Sequence, residues 1–195
     1  LSKKRRRSDH LTREARSRDY PARSVFKLEE IDRRLRLLGR GDRVLDLGCS
    51  PGSWLKYACR RVGPGGLVVG VDLEEPSIEM PANARFLKAD AMHLAPGDIS
   101  PGRFRVVVSD MAPRTSGTAI VDQERSWELF ARALDLADEL LEPGGRFAAK
   151  LFFSPRHEEA VVAMRERFAL VRTLRPRATR SSSREVFVAG MDRSR

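Results

Sequence analysis

Val44-Leu45-Asp46-Leu47-Gly48-Cys49-Ser50-Pro51-Gly52-Ser53-Trp54 passes from an apolar, β-rich run through a glycine-containing turn into a helical stretch. Strand, tight turn and helix in that order open a βαβ unit. In open α/β sheets ligands lie at the carboxyl ends of the strands, where such a turn sits. Gly48 and Gly52 let the backbone come close to a ligand. The run is not G-x-G-x-x-G, because Ser50 and Ser53 stand in two of the glycine places, and no G-K-[S/T] follows as in a phosphate-binding loop. A cofactor without phosphate is therefore favoured. Trp54 suits either a ligand wall or the core.

Outward from that stretch the pattern alternates. β-rich runs lie at Arg43–Leu47, Leu67–Val71, Ala84–Lys88, Arg105–Ser109, Arg146–Phe153, Leu170–Leu174 and Val186–Ala189. Helical stretches at about 53–62, 123–141 and 156–168 lie between them, and an earlier one spans Ser24–Leu38. In that earlier helix Val25, Leu28, Ile31, Leu35 and Leu38 recur at spacings of three and four, and Gly39 and Gly41 are expected to end it. Seven strands alternating with helices predict an α/β, doubly wound, mostly parallel sheet with helices on both faces. The connection 175–184 is too short for a helical crossover, so the last strand is expected to run antiparallel.

Three acids close three successive strands: Asp72 after Val69-Gly70-Val71, Asp90 after Phe86-Leu87-Lys88-Ala89, and Asp110 after Ser109. A single Asp in such a place is most simply a helix cap. Three together, with Gly48 and Gly52, predict a nucleoside-like cofactor, with Asp72 on the ribose hydroxyls and Asp90 on the adenine amino group.

The chain has 195 residues and a net charge of +10, which suits one α/β domain. Charge placement says more than its sum. Residues 1–40 carry 14 Lys/Arg against 6 Asp/Glu, and residues 156–195 carry 10 against 5, while 41–155 carry 13 against 16. Two basic flanks on a mildly acidic centre predict a polyanion lying across one face. Residues 1–18 are read as a basic, flexible arm and 19–195 as a single domain. Cys49 and Cys59 are too few for a disulfide framework, which points to a reducing, cytoplasmic setting. No apolar run reaches the roughly 18 residues of a membrane span. No metal is expected.

The order D-L-G-x-x-P-G-x-W, V-D, A-D-A, S-D-M-A-P…S-G, a strand Lys and S-S-R-E-V resembles the FtsJ/RrmJ family, the large-subunit ribosomal RNA 2′-O-ribose methyltransferases of type E. The family's upstream Y-x-x-R-x-x-[FY]-K-L is matched by Tyr20 to Leu28. The resemblance covers roughly residues 18–190. It implies a Rossmann-like methyltransferase fold, S-adenosyl-L-methionine (SAM) as cofactor with S-adenosyl-L-homocysteine as product, and a catalytic set of Lys27, Asp110, Lys150 and Glu185. Cofactor positions carried over are Asp46, Gly48, Gly52, Trp54, Asp72, Asp90 and Asp110. Cys49 and Ser50 stand where alanines are usual, and Ser53 where glycine is usual. Arg114 replaces an asparagine, and Phe153-Ser154 replaces Gln-Gly. The last two departures border the catalytic strands and bear on the RNA target rather than on the reaction.

The chemistry makes the four residues unequal. Methyl transfer from a sulfonium is an in-line displacement, and a ribose hydroxyl is a poor nucleophile until a base takes its proton. A free lysine is protonated at neutral pH, so a lysine base has to be desolvated or set beside another cation. Lys150, inside an apolar strand, is the expected base. Asp110 would hold its nitrogen and bridge to the cofactor, and Lys27 and Glu185 would orient the ribose. The expected substrate is a uridine in the A loop of 23S rRNA, within the large subunit, acted on by a monomer. Arg16, Arg18, Arg23, Arg177, Arg180 and Arg184 would contact phosphate. Rival readings are a tRNA anticodon-loop 2′-O-methyltransferase, which shares these motifs, and a non-catalytic RNA-binding assembly factor, which the intact set disfavours. A small-molecule methyltransferase is disfavoured by the basic flanks.

Overall fold

The structure, a computed structural model, describes residues 3–99 and 102–194, with side chains from residue 10 onward. Seven strands form one sheet: β1 (Arg43–Leu47), β2 (Leu67–Asp72), β3 (Ala84–Lys88), β4 (Phe104–Ser109), β5 (Leu141–Phe152), β6 (Phe168–Leu174) and β7 (Glu185–Arg193). Their order is β3-β2-β1-β4-β5-β7-β6. β1 to β5 are parallel, and β7 runs antiparallel between β5 and β6. The predicted α/β class and the reversed last strand both hold.

Alternation along the strands builds two cores. Val44, Val68, Val106, Val108, Ala148 and Phe187 face one side, where they meet Val25, Leu28 and Ile31 of α2 (Val25–Leu35) and Trp54, Leu55 and Ala58 of α3 (Ser53–Val62). Their neighbours Leu45, Val69, Val107, Ala149 and Val188 face the other side. There they pack on Phe130, Ala133 and Ala137 of α5 (Ala119–Leu140) and on Ala160 and Met164 of α6 (Arg156–Arg165). A short helix, α4 (Pro96–Ile99), adds Ile99 to this second core. Gly70 in β2 is a packing requirement, since a Cβ there would lie 2.5 Å from Leu55 Cδ1 and 2.8 Å from Cys49 Sγ. Among the described residues no helix is long and apolar enough to cross a membrane, and no acid–His–Cys group of metal-binding form occurs.

The segment read as a basic arm carries helix α1 (Lys3–Ser17). Lys, Arg and Glu are good helix formers, and the end of the helix is anchored. Ala15 is fully buried, Tyr20 N–H donates to Ala15 O at 2.9 Å, and Arg18 forks onto Glu29 of α2 at 2.9 and 3.1 Å. One expectation is corrected: α2 stops at Leu35 rather than at Gly39. Arg36 turns left-handed (φ 54°) and its N–H donates to Asp32 O. Asp32 Oδ1 then accepts the Leu38 N–H at 2.8 Å, drawing Leu37 and Leu38 into the core. A local carboxylate thus outcompetes the helical periodicity.

Candidate active site

β1 delivers the chain to Gly48, whose φ of +78° suits glycine and whose Cβ would lie 2.8 Å from Met111 Cγ and 2.9 Å from Met111 N. The turns after β1 and β4 therefore touch. Around them opens a cleft of about 320 Å³, bounded by Asp72, Asp90 and Asp110 together with Leu73, Met111 and Leu129. Asp72 already stiffens the turn: its Oδ2 accepts Ser50 N–H at 2.8 Å and its Oδ1 accepts Glu74 N–H at 3.1 Å. Each carboxylate oxygen keeps a further lone pair for hydroxyls. The Met92 N–H (2.9 Å), followed by the His93 ring, holds the Asp90 carboxyl below the usual carboxylate range.

The described residues bounding this cleft include three carboxylates and no Lys or Arg. Acceptors and apolar walls fit a ligand with hydroxyl and amino donors, a flat ring and positive charge. They do not fit a phosphate. A larger open hollow of about 630 Å³ surrounds Arg40, Arg60 and Arg85 near Leu67 and Ala84, where β2 and β3 begin. It lies away from the strands' carboxyl ends and offers no carboxylate, so chemistry outweighs size in choosing the site.

Three further residues of the expected cofactor set, Trp54, Gly52 and Asp46, are not among those that line the acidic cleft. Trp54 is 2% exposed, its Nε1 donates to Ser24 O at 2.9 Å, and its ring packs 5.6 Å from Phe187. With Ser53, whose Oγ accepts from Ala22 N at 2.8 Å and donates to Ala22 O at 3.0 Å, it fastens the start of α3 to the segment before α2. Gly52 caps α3 and closes against Ile78. Asp46 is wholly buried beneath the turn, with no hydrogen-bond partner on either oxygen. Burial, then the neighbouring Asp110 and Asp72, push its carboxyl well above the usual range. Burial likewise raises the Cys49 and Cys59 thiols, Cys59 to about 12, which leaves both inert.

The four residues of the expected catalytic set do come together. Parity explains it: Val106 and Val108 face α2 and α3, so Asp110, two further on, lies on that side of the sheet. Lys150 in β5 falls on the same side, opposite Phe187 of β7. Lys150 Nζ donates to Asp110 O at 2.5 Å and to Asp110 Oδ1 at 3.0 Å. Glu185 starts β7 opposite Phe152, one pleat beyond Lys150. From α2, Lys27 Nζ reaches Glu185 Oε1 at 2.7 Å and lies 3.9 Å from Asp110 Oδ1. The order Glu185–Lys27–Asp110–Lys150 is a run of alternating charges, with side chains between 6 and 17% exposed.

The flanking arginines are placed unequally. Arg16, Arg177, Arg180 and Arg184 are exposed. Arg18 is exposed but occupied by Glu29, and it lies over the Phe26 ring at 5.3 Å. Arg23 is half-buried, and burial and the nearby Arg180 lower its pKa while Glu185 opposes the shift. Arg23 and Arg180 therefore stand close to one end of the charge run. Sequence reasoning missed Leu129, which reaches the cleft from α5 and carries no local signal. It also missed the role of Asp122, which takes Ser116 N–H (2.7 Å) and Oγ (2.9 Å) and so pins the loop after β4.

The FtsJ-like methyltransferase family model matches residues 20–193. A relative from Sorangium cellulosum, named ribosomal RNA large subunit methyltransferase E, is 49% identical over 96% of this chain and 89% of its own. A protein of the same name from Nitratidesulfovibrio vulgaris is 44% identical over 92% and 90%. Among solved structures, one assigned as a ribosomal RNA methyltransferase of Plasmodium falciparum superposes with a TM-score of 0.78 at 21% identity, over 89% of this chain and 98% of that one. A SAM-bound fibrillarin of Aeropyrum pernix gives 0.55 at 15% identity, over 80% and 68%. With a family model covering the whole sheet and such relatives matching along nearly the full length of the chain, the chain belongs to the FtsJ-like methyltransferase family.

Proposed function

We propose that the protein is an rRNA methyltransferase that uses SAM to methylate a ribose 2′-OH, its substrate being a uridine of the A loop in the large ribosomal subunit. The single observation that carries this reading is the buried contact of Lys150 with Asp110 at the rim of an acid-lined cleft, with the Lys27–Glu185 pair alongside.

Asp72 takes the cofactor's ribose hydroxyls, Asp90 its adenine amino group and Asp110 its methionine end. When bound, SAM supplies an electrophilic methyl carbon and a neutral sulfide leaving group. A neutral lysine amine has two N–H donors and one lone pair. In its reactive, deprotonated form Lys150 would spend both donors on the two Asp110 oxygens that it contacts, the carbonyl and the carboxylate, and turn its lone pair to the incoming hydroxyl. As Lys150 takes the 2′ proton it becomes an ammonium, and the Asp110 carboxylate beside it stabilises that charge. Lys27 and Glu185 hold each other and present one donor and one acceptor edge to the ribose, so most of their contribution is orientation. The exposed Arg16, Arg180 and Arg184, with Arg18, Arg23 and Arg177, track the phosphates.

Ribose-methylation mapping of total RNA, from cells holding wild type, Lys150→Ala or no protein, tests the reading. One large-subunit rRNA methyl group present only with wild type is the expected result. In vitro, loss of the base should lower the rate by about 10²–10⁴-fold. A methyl lost from tRNA instead, or a map unchanged by Lys150→Ala, overturns it.

A further inference from the structure

The catalytic end also carries a large apolar side chain that neither core absorbs. Phe153 follows the last residue of β5, one position past the cross-strand pair Phe152–Glu185, and it is 56% exposed. Its backbone is nonetheless fixed on both sides. Its N–H donates to Arg184 O at 2.8 Å, and its carbonyl accepts from Gln123 Nε2 of α5 at 3.3 Å. His157 of α6 backs the ring at 5.2 Å between centroids and a 42° tilt. The far side of the imidazole is anchored in turn, with Nε2 2.8 Å from Thr173 Oγ1. The result is an aromatic face with a defined position that stays in water, next to the exposed Arg184 and one step along the sheet from Glu185.

A flat ring beside an arginine is the pairing that recognises a nucleotide: the guanidinium takes phosphate and the aromatic face takes a base of any sequence. We propose that Phe153, backed by His157, stacks on an unpaired RNA base at the target site and so sets the position of the ribose presented to Lys150. Phe153 is a positioning residue in this role and touches no reacting atom. The inference rests on the RNA 2′-O-methylation reading above and extends it to a substrate whose target base is out of its helix.

The test uses full-length protein and large ribosomal subunits lacking the methyl group, with wild type, Phe153→Leu and Phe153→Trp. Methyl transfer by wild type is read first, and its absence would sink the RNA reading itself whatever Phe153 does. Given that activity, Phe153→Leu keeps an apolar side chain but no π-face. It should raise KM for the subunit on the order of tenfold, with the KM for SAM unchanged. Phe153→Trp should restore the wild-type KM and show indole fluorescence quenched by RNA. Leucine performing like phenylalanine, tryptophan performing like leucine, or a loss confined to kcat would each overturn the proposal. The first of these would mark Phe153 as a simple apolar contact, such as one to a ribosomal protein.

Discussion

The four charged residues illustrate how differently neighbouring side chains are constrained. Lys150 is tied to a single residue, Asp110, through two acceptors, whereas Lys27 is shared between Glu185 at 2.7 Å and Asp110 at 3.9 Å. Lys27→Met and Glu185→Gln should each lower kcat/KM by up to roughly 100-fold. Because each holds the other, the double variant should be no worse than the poorer single one, whereas multiplicative losses in that cycle would show that they act separately. Asp46 makes a different prediction. Burial, with Asp110 and Asp72 beside it, raises its folded pKa, so the folded chain keeps a proton that the unfolded chain releases above roughly pH 4. The associated stability is complete below that pH and declines as pH rises toward the folded value. Asp46→Asn should therefore match wild type in urea melts near pH 4 and exceed it increasingly toward pH 7. A constant gap across that range would contradict the assignment. The sequence named residues that the structure gathers, with Asp72 and Asp90 lining one cleft and Lys150 beside Asp110 at its rim. For Trp54 the sequence left ligand wall and core both open, and the structure buries its ring, with the indole N–H donating to Ser24 O.

Elements place these residues, and α2 shows how. Asp32, 2% exposed, accepts from Leu38 N–H at 2.8 Å, from Tyr57 Oη at 2.8 Å and from Arg61 Nε at 2.7 Å, so it joins α2 to α3 and to the approach to β1. Asp32→Ala would leave buried donors unpaired, at a cost of about 2–4 kcal/mol in denaturant unfolding. It should also raise KM for RNA by letting Lys27 drift, whereas Asp32→Asn should lose less on both measures. A neutral Asp32→Ala would show that apolar packing alone sets α2. The existence and type of β1, α3 and β7 were legible from periodicity and turn residues. The end of α2 was not, because its stop is a side-chain hydrogen bond across six residues rather than a glycine. Helix α1 was not legible either, because among its residues with described side chains Ala15 alone is buried, too little to form an apolar stripe.

On the scale of the whole molecule, two functions divide the sheet. β1 to β4 and their crossovers surround an acidic cleft, while α2 and β5 supply the two lysines and β7 the glutamate, and exposed arginines cluster on the β6–β7 connection. If the basic flanks form the RNA face, affinity should fall by about 10³-fold or more between 50 and 200 mM salt for roughly six phosphate contacts. Filter binding over that range checks it, and a flat profile would remove the flanks from the interface. The overall charge split was visible in the sequence, but which arginines are already occupied, such as Arg18 on Glu29, required coordinates. The reversed strand β7 has a further consequence. Parallel strands must be joined by crossovers whose length is set by a helix, but β6 and β7 are joined directly, so residues 175–184 answer to no such constraint. Although Arg177 N–H is tied to Glu30 of α2, a change in the length of that hairpin would rebuild no crossover, so if the basic flanks form the RNA face, the RNA contact there can change while the sheet that holds Lys150 keeps its register.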